Sequence, residues 1–472
     1  MSSLQTPHLP PRRHSHIAGN LVRGQRQALL VASWLYSFAL HYAHVVYLNP
    51  VWDYYGFTIR PLGPPELAMI FALVTLGGMA MPETIQRPSS IILLLLYIIV
   101  YIPTIVFSLS IDSNGTARYA PSLFMLSIGF CSACLATRLL GKRGSVRTFH
   151  PNDLFCRLLL AAWLTFGVAL IGTYWSIMTF SGLDDIYEQR AAGTSSNLWM
   201  GYIQTYFGNI LSPALISIGL VRRQIYPVAA GVVGCLIIYM INAQRTIFLL
   251  PIAIFGLYFI LRANNLVFRS TAFSLVALLP ILIIPSTFYE SDLTSGFVSL
   301  FIVFRTLSLP GLTFSQYFDT FDTDGYTFWS HIKGFDLIAP APAAFSGHSA
   351  WPNLGYIIGD RIYGNIENNV NANLFSGDGA AAAGAFGVLV IGLVLAAWLV
   401  LFDKVSRGWD ATFAALVALP MGLALTNGHF FTTMLSFGGL FWLLIFYFYK
   451  PSSGLPESSR RLGVANLRKK SA

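Results

Sequence analysis

The sequence predicts an all-α polytopic membrane protein, and three observations carry that. Of its 472 residues, 55% are hydrophobic and only 10% are charged, where an ordinary soluble domain carries about 25% charged residues. Mean hydropathy is +0.62. Apolar runs close to the roughly 20 residues that a bilayer-spanning helix needs recur along the whole chain.

About twelve transmembrane helices are expected, at 27–48, 66–82, 90–110, 119–138, 154–178, 198–220, 226–242, 246–262, 271–287, 380–402, 411–427 and 431–449. Together they make a transmembrane domain over 27–450. Residues 1–26 and 451–472 are polar, basic and rich in Pro or Ser, and read as disordered cytoplasmic tails. The first apolar run has no small-residue cleavage site after it, so it reads as a retained helix and not as a cleaved signal peptide. The runs 226–242 and 246–262 are close enough to form a tight hairpin.

Charge gives the expected orientation. With both termini cytoplasmic, the inner side holds 22 of the 29 basic residues and five of the 20 acids, a net of +17. The outer side keeps seven basic residues (Arg60, Arg118, Arg190, Arg245, Arg305, Lys333, Arg361) and fifteen acids, a net of −8. The basic tails are then the positive-inside signal, with anionic-lipid contact as a further role. Nucleic-acid binding is a poor reading of them.

The four cysteines, Cys131, Cys134, Cys156 and Cys235, lie in or beside apolar runs and read as packing residues, the Cys131/Cys134 pair included. The sequon at Asn114 is too short a motif to carry weight. His41 and His44 could share a helix face but lack a third metal ligand. His429 and Asn427, in the tight last outer turn, could line a cavity. No nucleotide-binding loop, HExxH or GxSxG motif stands where it could work, and neither a cofactor nor a metal is expected.

One connection is long, the extracytoplasmic loop 288–379. Loops of this length are uncommon without a function. Its first part, 296–314, is apolar with one arginine and one proline, and reads as a helix lying on or dipping into the outer leaflet. The remainder is dominated by Tyr, Trp, Gly and Asn, a mixture suited to sugar: aromatic faces for pyranose rings, amides for hydroxyls. An interfacial aromatic belt would look similar. It ends in NVNANLFSGDGAAAAGAFGVLV, residues 369–390, where Asn369, Asn371, Asn373 and Asp378 cluster at the mouth of an apolar helix. Either they face a polar ligand, or Asp378 caps the helix; the two roles are compatible.

Arg190 and Arg245 are each followed by ten residues and then a glycine, Gly201 and Gly256. An arginine at a membrane border is costly unless it snorkels or finds a partner, and its planar fork grips phosphate oxygens in pairs. Two of them on the outer side point to an anionic ligand there. Helix-end anchoring, or pairing with Asp184, Asp185 or Glu188, is the plainer alternative.

These features resemble the Wzy-type polymerases of bacterial O-antigen, capsule and exopolysaccharide. The two Arg-x10-Gly stretches are similar to that family's paired outer-loop motifs. YLNPVWDYYGF (47–57), DIYEQR (185–190), FRTLSLPGLTFSQYFDTF (304–321) and IIGDRIYG with NANLFSGDGAAAAGAFGVL (357–389) look like segments of its exopolysaccharide branch. The second family arginine often lies in the late long loop, which leaves Arg305 or Arg361 as counterparts competing with Arg245. The resemblance implies a GT-C-like membrane glycosyltransferase fold in the bacterial plasma membrane. It implies polymerisation of polyprenyl-diphosphate-linked repeat units on the outer face, with a flippase and a chain-length-regulating co-polymerase as partners and no nucleotide sugar. Under it, Arg190, Arg245 and Arg305 would stabilise the diphosphate leaving group without a metal. Asp378, Glu367, Asp360 and His348, in that order, would be candidate bases. Arg361, Asn369, Asn371 and Asn373 would bind substrate. An O-antigen-ligase-like transferase shares this architecture. A transporter or flippase of lipid-linked sugar is the alternative from another class.

Overall fold

The computed structural model describes residues 12–140, 149–180, 189, 192–193, 197–263, 265, 267–291 and 293–449. Among them there is no β-strand, only two isolated bridges, Thr84–Ser270 and Phe149–Trp409. Among the described residues, eight helices are long and apolar enough to cross a membrane: Gly24–Tyr55, Pro88–Ser110, Gly115–Leu140, Asp153–Ile177, Ile225–Asn242, Arg245–Arg262, Leu293–Asp324 and Phe375–Val405. Shorter apolar helices run Pro64–Ala80, Thr271–Thr287 and Ala411–Thr426, and a pair bent by 52° joins Phe430–Ser436 to Gly439–Phe448. A continuous helix over 198–222 passes through a π-turn at Phe207–Leu211. The chain is therefore an all-α, multi-pass membrane protein. The tight hairpin is present: only Ala243 and Gln244 separate Ile225–Asn242 from Arg245–Arg262.

The helix Pro88–Ser110 is the axis of the bundle, with 94% of its apolar window buried. Its π-turn at Tyr97–Tyr101 has a local cause. Pro103 has no N–H to give, so the Ile98 carbonyl loses its partner in the widened turn. The Tyr36 hydroxyl donates to that carbonyl at 3.0 Å instead. Elsewhere, small residues let helices approach closely. A Cβ on Gly392 would stand 2.6 Å from Gly129 Cα, so Gly115–Leu140 and Phe375–Val405 touch backbone to backbone.

One face of the bundle is stitched by polar ties. Arg26 donates to the carbonyls of Gly78 and Met79 (2.8 Å each) and Met81 (2.7 Å), and pairs with Glu83, closing the C-terminal end of Pro64–Ala80. Buried Asp403 accepts from the Ser89 hydroxyl at 2.7 Å and the Ser89 N–H at 3.2 Å. The opposite face carries the connections around 56–63 and 111–114 and the segment 325–373, and is called the loop face below.

At the loop face, the sequence stretch expected as a dipping helix extends into the 32-residue helix Leu293–Asp324. Ten of its residues, Ser299–Ser308, are π-helical. The sequence reading ended this helix too early because 315–324 is polar; those residues stay helical by packing on other parts of the protein. Ser315 bonds Ser108 at 3.0 Å, and Asp319 accepts from Tyr119 at 2.8 Å and Arg118 at 2.9 Å. The middle of the helix reaches inward, where Gly311 packs on Pro103.

Residues 325–373 do not form an open loop. They fold over this helix around a second apolar core that includes Tyr317, Phe321, Phe345, Leu354, Ile357 and Ile358. Tyr317 donates to the Val370 carbonyl at 2.8 Å, and Tyr363 donates to the Tyr55 carbonyl at 2.8 Å. We call this the cap.

The chain then re-enters the bundle. Ala383 (φ −158°, ψ 36°) and Gly384 (φ 57°, ψ −138°) leave helical geometry. Gly379 meets Val388 and Ile391 across the break, although nine residues of straight helix would separate 379 from 388 by about 13 Å. Residues 375–382 are thus a half-helix folded back on 385–405. The cap fills the break: Thr327 and Phe328 N–H groups donate to the Ala381 and Ala382 carbonyls, both at 2.9 Å. These bonds hold Phe328 and Trp329 at positive φ, 46° and 64°.

Candidate functional site

The folded-back half-helix presents Asp378, which has no exposed surface. Two histidines converge on one of its oxygens. His331 Nε2, from the cap, lies 3.4 Å from Asp378 Oδ1. His429 Nδ1, at the start of Phe430–Ser436, lies 3.5 Å from the same atom. The other oxygen, Oδ2, accepts from the Phe430 N–H. Trp329 Nε1 donates to the Asp378 carbonyl at 2.9 Å, and Thr327 Oγ1 holds His331 Nδ1 at 2.9 Å. Burial pushes the His331 imidazole below its ordinary pKa, and the Asp378 carboxylate opposes that shift. Gly377 leaves room for the cluster, since a Cβ there would overlap the His429 ring.

Asp378 does not cap the helix. It lies inside the half-helix, and the cap is Asn373, five residues earlier: Asn373 Oδ1 accepts from the Phe375 N–H at 2.9 Å and the Ser376 N–H at 3.2 Å. Asn373 Nδ2 donates to the Pro310 carbonyl at 2.8 Å. With no exposed surface and both ends of its amide engaged, Asn373 is placed as an anchor of the hairpin. Asn369 and Asn371 remain exposed on the cap rim.

The arginines lie elsewhere. Arg190 falls outside the described residues. Arg245 opens its helix and sets its guanidinium over the Phe301 ring, 4.2 Å from the centroid. Arg305 lies four positions along that same π-helical segment and is exposed. The structure thus brings Arg245 to the element that carries Arg305. Arg361 belongs to the cap instead, where its Nε pairs with Asp324 at 3.1 Å and its guanidinium stands 6.0 Å from the Phe345 ring.

The remaining candidates are on the cap. His348 Nε2 faces Asp360 Oδ2 at 3.1 Å, and its Nδ1 accepts from the Ala350 N–H at 3.1 Å. Glu367 is exposed. Beside the cap, an open polar depression of about 570 Å³ is lined by Thr58, Arg60, Asp112, Ser113, Tyr119 and Asp319; none of the catalytic or substrate-binding candidates lines it. His41 and His44 form no ligand pair: His44 is buried against Phe57 and Phe107 and bonds Ser110 Oγ at 3.1 Å.

Sequence reasoning missed His331. It lies 47 positions from Asp378 in a run with no motif, and His429 is 51 positions away on the other side; only the folded cap and hairpin bring the three together. Comparison with known families, with curated proteins and with solved structures finds no match to this chain.

Proposed function

We propose that this chain is a twelve-span, GT-C-like membrane glycosyltransferase. It polymerises polyprenyl-diphosphate-linked oligosaccharide units at the outer face of the bacterial plasma membrane, with both termini in the cytoplasm. The observation that carries the reading is Arg245 seated on Phe301, four positions before Arg305. Arg245 thus stands on the same helical stretch that carries Arg305, where a lipid diphosphate at the membrane border would meet two guanidiniums. Forked donors bind diphosphate oxygens in pairs and offset the charge that develops as the group departs.

In the reaction, an acceptor hydroxyl of one lipid-linked unit attacks the anomeric carbon of the growing glycan. The bond from that carbon to the diphosphate oxygen breaks, and polyprenyl diphosphate leaves with the electron pair. We assign the hydroxyl proton to Glu367, because it is exposed beside the exposed Asn369 and Asn371 on the cap rim. His348 has both ring nitrogens engaged, which argues against a direct role for it. Positioning of two lipid-anchored substrates supplies much of the acceleration. A flippase delivers the units, and a co-polymerase sets chain length.

One observation favours a second reading. A broken, folded-back helix with a polar cluster inside the bundle is the usual form of a transporter's binding site. Vesicles with the protein inserted and labelled lipid-linked units in one leaflet separate the two. Polymer formed in that leaflet supports the polymerase. Unchanged units appearing in the other leaflet, without polymer, support the transporter.

A further inference from the structure

We infer that His331, Asp378 and His429 form a binding site for one divalent transition-metal ion of the zinc type. The three donor atoms, His331 Nε2, Asp378 Oδ1 and His429 Nδ1, lie within 4.8 Å of one another. They come from three separate elements: the cap, the folded-back half-helix and the first residue before the bent helix pair.

The spacing fits an ion better than it fits hydrogen bonds. Both nitrogens stand 3.4–3.5 Å from the same oxygen, beyond the 2.7–2.9 Å of a charge-assisted N–H···O bond. Ligands on a tetrahedral zinc at about 2.0–2.1 Å are themselves about 3.3–3.4 Å apart. His429 Nδ1 is buried and makes no hydrogen bond among the described residues, yet it points at Asp378. Each of the other two donors has its outer atom fixed in the way metal ligands are fixed: Thr327 Oγ1 holds His331 Nδ1, and the Phe430 N–H holds Asp378 Oδ2.

Charge argues the same way. Asp378 has no exposed surface, and its ion pairs among the described residues are with the two histidines alone. A buried carboxylate needs a compensating charge, which a dication supplies while both imidazoles stay neutral. Two imidazoles and one carboxylate select zinc and its first-row neighbours over magnesium and calcium, which take oxygen ligands. Three protein ligands leave a fourth position for water or a hydroxyl. The His429 side chain, 25% exposed against 4% for His331, marks the open side. The ion would also clamp cap, half-helix and bent pair together. The assignment stands on these side chains and does not depend on the polymerase reading.

The test is zinc binding by full-length protein purified in detergent, stripped with chelator and titrated against a chromophoric zinc competitor. One zinc per chain is expected. His331→Ala, Asp378→Asn and His429→Ala should each lower affinity at least about 100-fold, while His150→Ala should leave it unchanged, since His150 pairs with Asp410 at the start of Ala411–Thr426, the end away from His429. To guard against misfolded variants, cobalt is added to the stripped wild type, where a ligand-field absorption spectrum of nitrogen and oxygen coordination is expected. No stoichiometric zinc and no such spectrum in the wild type would overturn the site, as would equal affinity in folded His331→Ala and His429→Ala proteins. Zinc bound without polymerisation leaves the site and removes the polymerase; polymerisation without zinc binding does the reverse.

Discussion

Asn373 and Pro310 meet in the buried interior between two loop-face elements. The Asn373 amide nitrogen donates to the Pro310 carbonyl at 2.8 Å, and the amide oxygen caps the half-helix that carries Asp378. One side chain therefore joins the dipping helix to the folded-back hairpin. Asn373→Ala removes a helix cap, worth about 1 kcal/mol, and one hydrogen bond to the Pro310 carbonyl, worth about 0.5–1.5 kcal/mol; that carbonyl keeps its bond from Thr313 Oγ1 at 3.1 Å. A fall in thermal midpoint of purified Asn373→Ala is expected, with Asn369→Ala and Asn371→Ala unchanged. An unshifted midpoint for Asn373→Ala would return that residue to a substrate role.

Gly384 is the hinge of the hairpin. Its φ of 57° with ψ of −138° is a glycine conformation, and a Cβ there would stand 2.7 Å from the Tyr326 hydroxyl. Gly384→Ala should cost about 1–3 kcal/mol in backbone strain alone and also push Tyr326 away. Limited proteolysis should then cleave the cap, 325–373, faster than in the wild type. Equal cleavage would mean that the cap does not depend on the break.

How much of this was legible in the sequence follows from how local each signal is. Helix existence was legible, since long apolar runs need no partner to be recognised. The hairpin was not, because GDGAAAAGAFG reads as the start of a single helix and only the conformation of Gly384 betrays the turn. The cap looks like a loop in sequence because its apolar residues, Phe345, Leu354, Ile357 and Ile358 among them, are spaced through turns and are completed by Tyr317 and Phe321 from another element. Asn373 and Asp378 both stand before apolar sequence, so composition could not decide which one caps. Asp378 was singled out as polar and costly, but its histidine partners lie about fifty positions away on either side.

The cap carboxylates divide by role. Under the polymerase reading, Glu367→Gln should slow chain extension about 10²–10⁴-fold, the range for loss of a general base, with the fold intact. Asp360→Asn should act mainly through its contact with His348 and cost far less. Initial rates of polymer formation with saturating lipid-linked unit would check both. A full rate in Glu367→Gln would move the base elsewhere.

Arg361 offers a contrast to the other arginines. It is tied to Asp324 and stands over Phe345, so Arg361→Ala should loosen the cap and lower the thermal midpoint by a small amount, as expected for an exposed pair worth about 0–1 kcal/mol. Its effect on affinity for lipid diphosphate should be slight. A large loss of lipid-diphosphate binding with an unchanged midpoint would place Arg361 in the substrate site.

The most direct measurement is a gel of glycan products made by the purified protein from synthetic polyprenyl-diphosphate repeat units, without nucleotide sugar. The wild type should give a ladder of lengths. Arg245→Ala and Arg305→Ala should each reduce it by about 10²–10³-fold, the range seen when a donor to developing charge is removed, while both variants stay folded. No ladder from the wild type, or full ladders from both variants, would contradict the account.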